Sequence, residues 1–444
     1  MKSELALFGG PKAITSPAGD MFTWPIITKE DEEGVLEVLR RRGMSGTDVT
    51  VEFEKKFAAW QETKYALGFN NGTSALHAAM FGCKVGAGDE VICPSVTYWA
   101  SIAQVYSLGA TVVFADIDPV TLCLEPKDLE HRISERTKAI MVVHYLAHPA
   151  DMDPIMEIAK RYHLKVIEDV SHAQGGLYKG RKLGTIGDVG AMSLMTGKSF
   201  AIGEAGMLVT DDREIYERAV GFGHYERFNR NNIQTEELKP FVGLPLGGYK
   251  YRMHQLSSAV GLAQLKYYEE RCAEIRKAMN YFWDLLEGTP GIKPHRTPKD
   301  SGSNMAGWYA AHGRYQPEEL GGLSVSRFAE AVRAEGYPEC YPGCNAALHT
   351  HALFKTCDVY GHGKPTRIAN SARDVRDLDN SIPVSEVIGS LIYWIPWFKH
   401  YRPVIIEEYA AAFRKVAGNY QELLPDDPGN PSELGVWHFF KHSK

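Results

Sequence analysis

The run Lys165-Val166-Ile167-Glu168-Asp169 sets the reading of the fold. Its apolar centre is too short for a helix. Charged residues bound it, and Val-Ile runs of this length suit strands buried on both faces of a parallel sheet. With Lys165–Glu168 taken as the strand, similar runs stand on either side: Tyr65–Phe69, Glu90–Cys93, Thr111–Ala115, Ala139–His144, Gly190–Met195 and Met207–Thr210. Helical spacing fills the intervals at Ser74–Phe81, Thr97–Leu108, Pro126–Ile133 and Asp153–Tyr162. Strand then helix, repeated, predicts an α/β layered domain with a mainly parallel sheet. Ligands of such domains gather at the carboxyl ends of the strands.

Farther along, the pattern changes. Leu256–Leu286 reads as one long amphipathic helix, and from Pro294 onward the text is mixed, with Ser301-Gly302-Ser303 as a flexible stretch. This predicts a large α/β domain over residues 1–265 and a smaller α+β domain over 266–444. The polar segment Tyr225–Gly248, with Asn229, Asn231 and Asn232, reads as a long functional loop.

The 444 residues carry a formal charge of -6, so there is no basic field to hold a nucleic-acid backbone or an anionic membrane. No apolar run approaches a membrane span, and Met1-Lys2-Ser3-Glu4-Leu5 lacks the start of a signal peptide. Seven cysteines, an odd number, read as reduced thiols in a cytoplasmic protein. Cys340, Cys344, His349 and His351 lie close together, but the first spacing and the adjacent Pro342-Gly343 suit zinc poorly, so no metal is expected.

Several residues stand where a pyridoxal 5'-phosphate site needs them: a lysine, an acid for the ring nitrogen, a phosphate cup and a stacking ring. Asp169 follows a buried strand, with His172 three residues on. Lys198 follows Gly190–Met195 and precedes Gly203-Glu204-Ala205-Gly206. Asn71-Gly72-Thr73-Ser74 opens a helix after the first strand, where free amides bind anions. Ser193 adds a hydroxyl, and Tyr98 or Trp99 offers a ring. Taken singly, each has an ordinary explanation: a turn or cap, a surface lysine, a plain N-cap, core packing.

Order and spacing together resemble a known family. Asn71-Gly72-Thr73-Ser74-Ala75-Leu76, Gly88-Asp89-Glu90-Val91-Ile92, Ala115-Asp116-Ile117-Asp118-Pro119, Ala150–Ile155, Ile167-Glu168-Asp169, Lys182–Asp188, Gly197-Lys198 and Gly203–Gly206 are similar to the DegT/DnrJ/EryC1/StrS sugar aminotransferases. The resemblance runs from about Gly9 to Val416 and is stronger before Gln264. It implies the fold type I transferase architecture, with a seven-stranded sheet, and pyridoxal phosphate as cofactor. Lys198 would hold the cofactor covalently and shuttle a proton, Asp169 would pair with the ring nitrogen, and His172 would sit near the ring oxygen. Tyr98 would stack. Gly72, Thr73, Ser74 and Ser193 would contact phosphate. The family's sites lie at a homodimer interface. Two positions depart from its usual text. Lys250 in Gly248-Tyr249-Lys250-Tyr251-Arg252-Met253 replaces an asparagine that reaches the partner's phosphate, and Ala205 replaces a glycine.

The resemblance implies amino transfer from glutamate or glutamine to a keto sugar or keto cyclitol, with Ile382–Glu386 and Trp394-Ile395-Pro396-Trp397 closer to the cyclitol and aminohydroxybenzoate branch. Trp394 and Trp397 suit core or dimer packing better than substrate contact. His349 and His351 stand where the family often has a histidine near the sugar, and a loop role suits them equally. Where a family branch has histidine for the lysine it dehydrates; here Lys198 is present. A dehydratase or aromatising synthase on the same scaffold, or a nucleotide-sugar aminotransferase, would share every cofactor residue. A dinucleotide-binding oxidoreductase is disfavoured, because the glycines around Gly175-Gly176 do not follow the first strand.

Overall fold

The computed structural model describes residues 3–435; Met1, Lys2 and residues 436–444, which belong to the N-terminal and second-domain readings above, lie outside them. The main sheet has seven strands. In chain order these are β1 (Tyr65–Phe69), β2 (Glu90–Pro94), β3 (Thr111–Ala115), β4 (Thr137–Val143), β5 (Lys165–Asp169), β8 (Val189–Ser193) and β9 (Gly206–Thr210), with the hairpin β6 (Leu177–Tyr178) and β7 (Arg181–Lys182) between β5 and β8. Across the sheet the order is β1-β9-β8-β5-β4-β2-β3. The pairs β2–β3, β2–β4, β4–β5 and β5–β8 are parallel, whereas β9 runs antiparallel to both β1 and β8. The antiparallel reversal follows from the connection: a turn of about a dozen residues joins β8 to β9 with no crossover helix, so the chain must come back alongside itself.

Helices cover this sheet: α1 (Lys29–Arg40), α2 (Asp48–Gln61), α3 (Gly72–Gly82), α4 (Pro126–Arg132), α5 (Met152–Tyr162) and α6 (Arg213–Gly223). Helix α3 packs on β8, β9 and α6, and every residue from Ser74 to Met80 is buried, so this helix is sheathed all round. The expected helix Thr97–Leu108 is instead two 3-10 turns, Trp99–Ser101 and Ala103–Leu108. Ile102 breaks it with φ -141° and ψ -23°. The cause is local side-chain bonding. Thr97 and Ser101 hydroxyls meet at 2.9 Å, and the Ser101 hydroxyl donates to Asp169 at 2.7 Å, which competes with a regular helix.

The long helix α7 (Gln255–Leu285) links two apolar cores. Its Tyr268 and Cys272 join the core of the large sheet, while Ile275, Ala278, Met279, Phe282 and Trp283 join the second. That second core is built on the antiparallel sheet β10 (Ile292–Pro294), β11 (His312–Tyr315) and β12 (Ile392–Trp394), with α8 (Val325–Ala334) and, after the short α9 (Ala352–Lys355) and α10 (Pro383–Val387), the helix α11 (Pro403–Gly418). Leu5, Ile14 and Met21 of the N-terminal arm also pack there. The architecture is thus a large, mostly parallel sheet with a smaller α+β region. Among the described residues no helix is long and apolar enough to cross a membrane. All seven cysteines are unpaired, and burial raises the Cys344 thiol to about 12.

Candidate active site

A cleft of about 440 Å³ opens at the carboxyl ends of β4, β5 and β8, marked by Val143, Asp169 and Ser193. At its floor Asp169 is 4% exposed. Its carboxylate accepts the Ser101 hydroxyl at 2.7 Å and the Ser171 amide at 3.0 Å. Both donors are neutral, and among the described residues no cation pairs with it. A buried carboxylate in that state is set to take a cationic hydrogen-bond donor from the cleft.

The next layer explains why β5 ends where it does. Glu168, fully buried beside Asp169, accepts amides from Gly184 (2.8 Å), Ile186 (2.7 Å) and Gly187 (2.6 Å), and the His144 ring at 2.9 Å. Burial opposes the charge, but the hydrogen bond from His144 and those amides hold this carboxyl below its ordinary range. Asp188 in turn accepts the Val166 amide at 2.8 Å and the Lys165 ammonium at 2.6 Å. The segment Lys182–Asp188 is therefore a clamp on the strand that carries Asp169.

Helix α3 points its start into the cleft. The Asn71 side chain caps it by accepting the Ser74 amide at 2.8 Å, which leaves the Gly72 and Thr73 amides without intrahelical acceptors. With the helix dipole, these make an anion site. Gly72, Thr73 and Ser193 line the cleft; Ser74 is buried behind it and is not among the lining residues.

Lys198 enters from the β8–β9 turn and is 8% exposed. Its Nζ lies 4.1 Å from the centre of the Tyr309 ring. The turn is tied down on both sides. Trp24 donates its indole N–H to the Lys198 carbonyl at 2.9 Å. Ser199 donates to the Gln174 side chain at 2.6 Å and meets the Tyr268 hydroxyl at 2.9 Å, and the Gln174 amide group donates to the Ser193 carbonyl at 2.6 Å.

His172 lines the same cleft, with its Nδ1 accepting the Leu146 amide at 3.3 Å. Burial, then the nearby Lys198, push its pKa well below the ordinary range, so the ring is neutral and carries its proton on Nε2. Tyr98 and Trp99 both line the cleft, their rings 5.0 Å apart.

Two sets of expected residues are placed elsewhere. Lys250 is exposed beside a separate groove with Met44, Ser45, Gly46 and Arg252, outside its own chain's cleft. His349 is buried between Ser95 (2.7 Å) and Glu386 (3.2 Å), and His351 caps α9 by accepting the Leu353 amide at 3.1 Å. Neither histidine lines the cleft.

The family model for the DegT/DnrJ/EryC1/StrS aminotransferase family matches residues 25–367. The chain belongs to this family. As a DegT/DnrJ/EryC1/StrS member it is 31% identical over 436 residues to the L-glutamine:scyllo-inosose aminotransferase of Streptomyces griseus, covering 95% of this chain and 100% of that one. It is 38% identical over 274 residues to the GDP-perosamine synthase of Caulobacter vibrioides, covering 61% of this chain and 71% of that one. Among solved structures, an aminotransferase from Psychrobacter cryohalolentis superposes with a TM-score of 0.75 at 26% identity, covering 90% of this chain and 100% of that one.

Some residues that line or brace the cleft carry no motif. Ser101 lines it and Gln174 braces the Lys198 turn, and both roles depend on hydrogen bonds across the sheet ends. Tyr309 and Trp24 come from distant segments with no motif around them.

Proposed function

We propose that this protein is a pyridoxal-phosphate-dependent aminotransferase that converts the ketone of a cyclitol or sugar to an amine, with glutamine or glutamate as donor. The observation that carries this reading is the convergence of Lys198, Asp169 and the start of α3 in one cleft. The donor set fits the cofactor. A buried carboxylate with only neutral partners among the described residues suits a protonated ring nitrogen, the Gly72 and Thr73 amides suit a phosphate, and Lys198 lines the same cleft.

When bound, pyridoxal phosphate supplies a carbonyl that carries the amino group and a protonated ring that withdraws electrons from the reacting carbon. The chain's own residues do the rest. Asp169 would hold the ring nitrogen protonated through a charge-assisted hydrogen bond. The Gly72 and Thr73 N–H groups would bind the cofactor's phosphate, with the hydroxyls of Thr73 and Ser193 beside them. His172 would donate its Nε2–H to the ring oxygen, and Tyr98 or Trp99 would cover one ring face. Lys198 Nζ would hold the cofactor; once the incoming amino group had displaced it, the freed amine would take a proton from the donor's α-carbon and later deliver one to the carbon being aminated.

The S. griseus relative, matched end to end, supports a free keto cyclitol and L-glutamine. The C. vibrioides relative supports the wider keto-sugar class. The reading includes a homodimer, in which the exposed Lys250 serves the second copy's site. The test is product analysis with scyllo-inosose and α-15N-glutamine. An amine product carrying 15N is the expected result. Loss of water without nitrogen gain would put the enzyme with the dehydratases instead.

A further inference from the structure

Lys198 is a buried lysine with an aromatic face, rather than a carboxylate, as its resting contact. Its Nζ stands 4.1 Å from the Tyr309 ring centre, and among the described residues no carboxylate pairs with it. Tyr309 is itself held from several directions. The His172 ring packs at 4.6 Å, and the Trp397 ring meets it edge-on at 5.7 Å and 89°. Trp397 also donates its indole N–H to the Gly307 carbonyl at 2.8 Å. Around Tyr309 the backbone takes left-handed conformations at Ala306 (φ 41°), Trp308 (φ 54°) and Ala310 (φ 51°), which non-glycine residues adopt only where the surroundings enforce them. A Cβ on Gly307 would fall 2.5 Å from the Ser199 Cβ, so this segment presses on the residue that follows Lys198.

The bracing closes behind the ring. Trp24, which binds the Lys198 carbonyl, and Trp397, which backs Tyr309, both face the buried side chain of Lys399. Lys399 is 3% exposed, and among the described residues its Nζ has no hydrogen-bond partner. One cluster thus fixes both the peptide of Lys198 and the ring on which its amine rests.

We propose that Tyr309 is a positioning residue whose π face docks the Lys198 amine whenever that amine is not covalently engaged. This rests on the reading of Lys198 as the cofactor-bearing lysine. A lysine that alternates between a covalent bond and proton transfer needs a resting place close to the reacting carbon. A carboxylate would grip it in an ion pair that each cycle must break. A ring face attracts an ammonium more weakly and takes no proton from it. The ring supplies this contact, so the hydroxyl is not required.

The test compares wild type, Tyr309→Phe and Tyr309→Leu. Two quantities are read: the rate at which apo-protein gains the visible band on adding pyridoxal phosphate, and kcat against KM for the donor. The proposal expects Tyr309→Phe to stay close to wild type. It expects Tyr309→Leu to lose roughly three- to thirty-fold in the capture rate and in kcat, the span of a cation–π contact, with a smaller change in KM. Thermal unfolding confirms that the leucine variant is folded; if it is not, Trp397→Leu, which leaves the ring but removes its backing, is read in the same way. A leucine variant as fast as wild type would overturn the proposal, as would a phenylalanine variant as slow as leucine. A wild-type protein that forms no band would instead refute the role of Lys198.

Discussion

Gly72 and Ser193 touch backbone to backbone. A Cβ built on Gly72 falls 2.7 Å from the Cα of Ser193, so the start of α3 and the end of β8 have no room between them for a side chain. Gly206 approaches the Asn71 carbonyl in the same way from β9. This contact is what brings the helix amides and the Ser193 hydroxyl to one spot. Gly72→Ala is expected to lower stability by about 1–3 kcal/mol through overpacking, and to weaken cofactor binding because the cup must open. Urea unfolding and a titration of apo-protein with pyridoxal phosphate measure the two effects.

Asp169 is the proposed partner of the ring nitrogen. Asp169→Asn keeps an oxygen for the Ser171 amide and presents its NH2 to the Ser101 oxygen, whose hydroxyl can turn to Thr97 and accept instead of donate, so the fold should hold. Turnover should drop by roughly a hundredfold or more, since a charge-assisted bond is replaced by a neutral one. Unchanged kcat in a correctly folded variant would point to another partner for the ring.

Glu168 predicts a stability effect with little chemistry of its own. Glu168→Ala leaves three amides and the His144 ring without their acceptor in a dry interior. The expected loss is about 3–5 kcal/mol, read from denaturant unfolding. A loss below about 1 kcal/mol would mean that the Lys182–Asp188 segment does not need this clamp.

The strands were legible because continuous Val-Ile runs between turns leave few alternatives, and all seven appear within a few residues of the expected spans. The helix α7 was legible for the same reason, since its apolar face repeats over 31 residues. Thr97–Leu108 misled because its composition permits a helix, while the hydroxyls of Thr97 and Ser101 are committed to each other and to Asp169, 68 positions away from Ser101. The residues expected at the cofactor stood in motifs tied to strand ends, and Gly72, Thr73, Tyr98, Asp169, His172, Ser193 and Lys198 line one cleft. Tyr309 was not legible, since a tyrosine between Trp308 and Ala310 gains its meaning only when the second region folds back over Lys198. His349 suited a sugar contact and a loop role equally from its position; the fold bonds it to Ser95 and Glu386, outside the cleft lining.

Six histidines predict the acid side of the stability profile. Burial, the leading cause in each, lowers His77 and His312 to about 4, lowers His148, and puts His172, His224 and His295 well below the ordinary range. In the folded state they stay neutral, while in the unfolded chain they take up protons near pH 6.5. The unfolded state therefore binds more protons below that pH, and stability falls as pH drops from about 6.5 towards 4. Each of the five other than His148 contributes about 1 kcal/mol of loss per pH unit in this window. Urea midpoints between pH 8 and 5 should be flat above pH 7 and decline below 6.5. A flat profile down to pH 5 would mean that these rings are not held neutral.

The central claim, that Lys198 carries pyridoxal phosphate and runs amino transfer, is tested most directly by an absorption spectrum of the protein loaded with pyridoxal phosphate, before and after glutamine or glutamate is added, with Lys198→Ala alongside. The wild type should show a visible band that the amino donor converts to the spectrum of the aminated cofactor. Lys198→Ala should show no such covalent band and no turnover. A wild type that forms no band, or a Lys198→Ala variant that forms the same band and turns over normally, would contradict it.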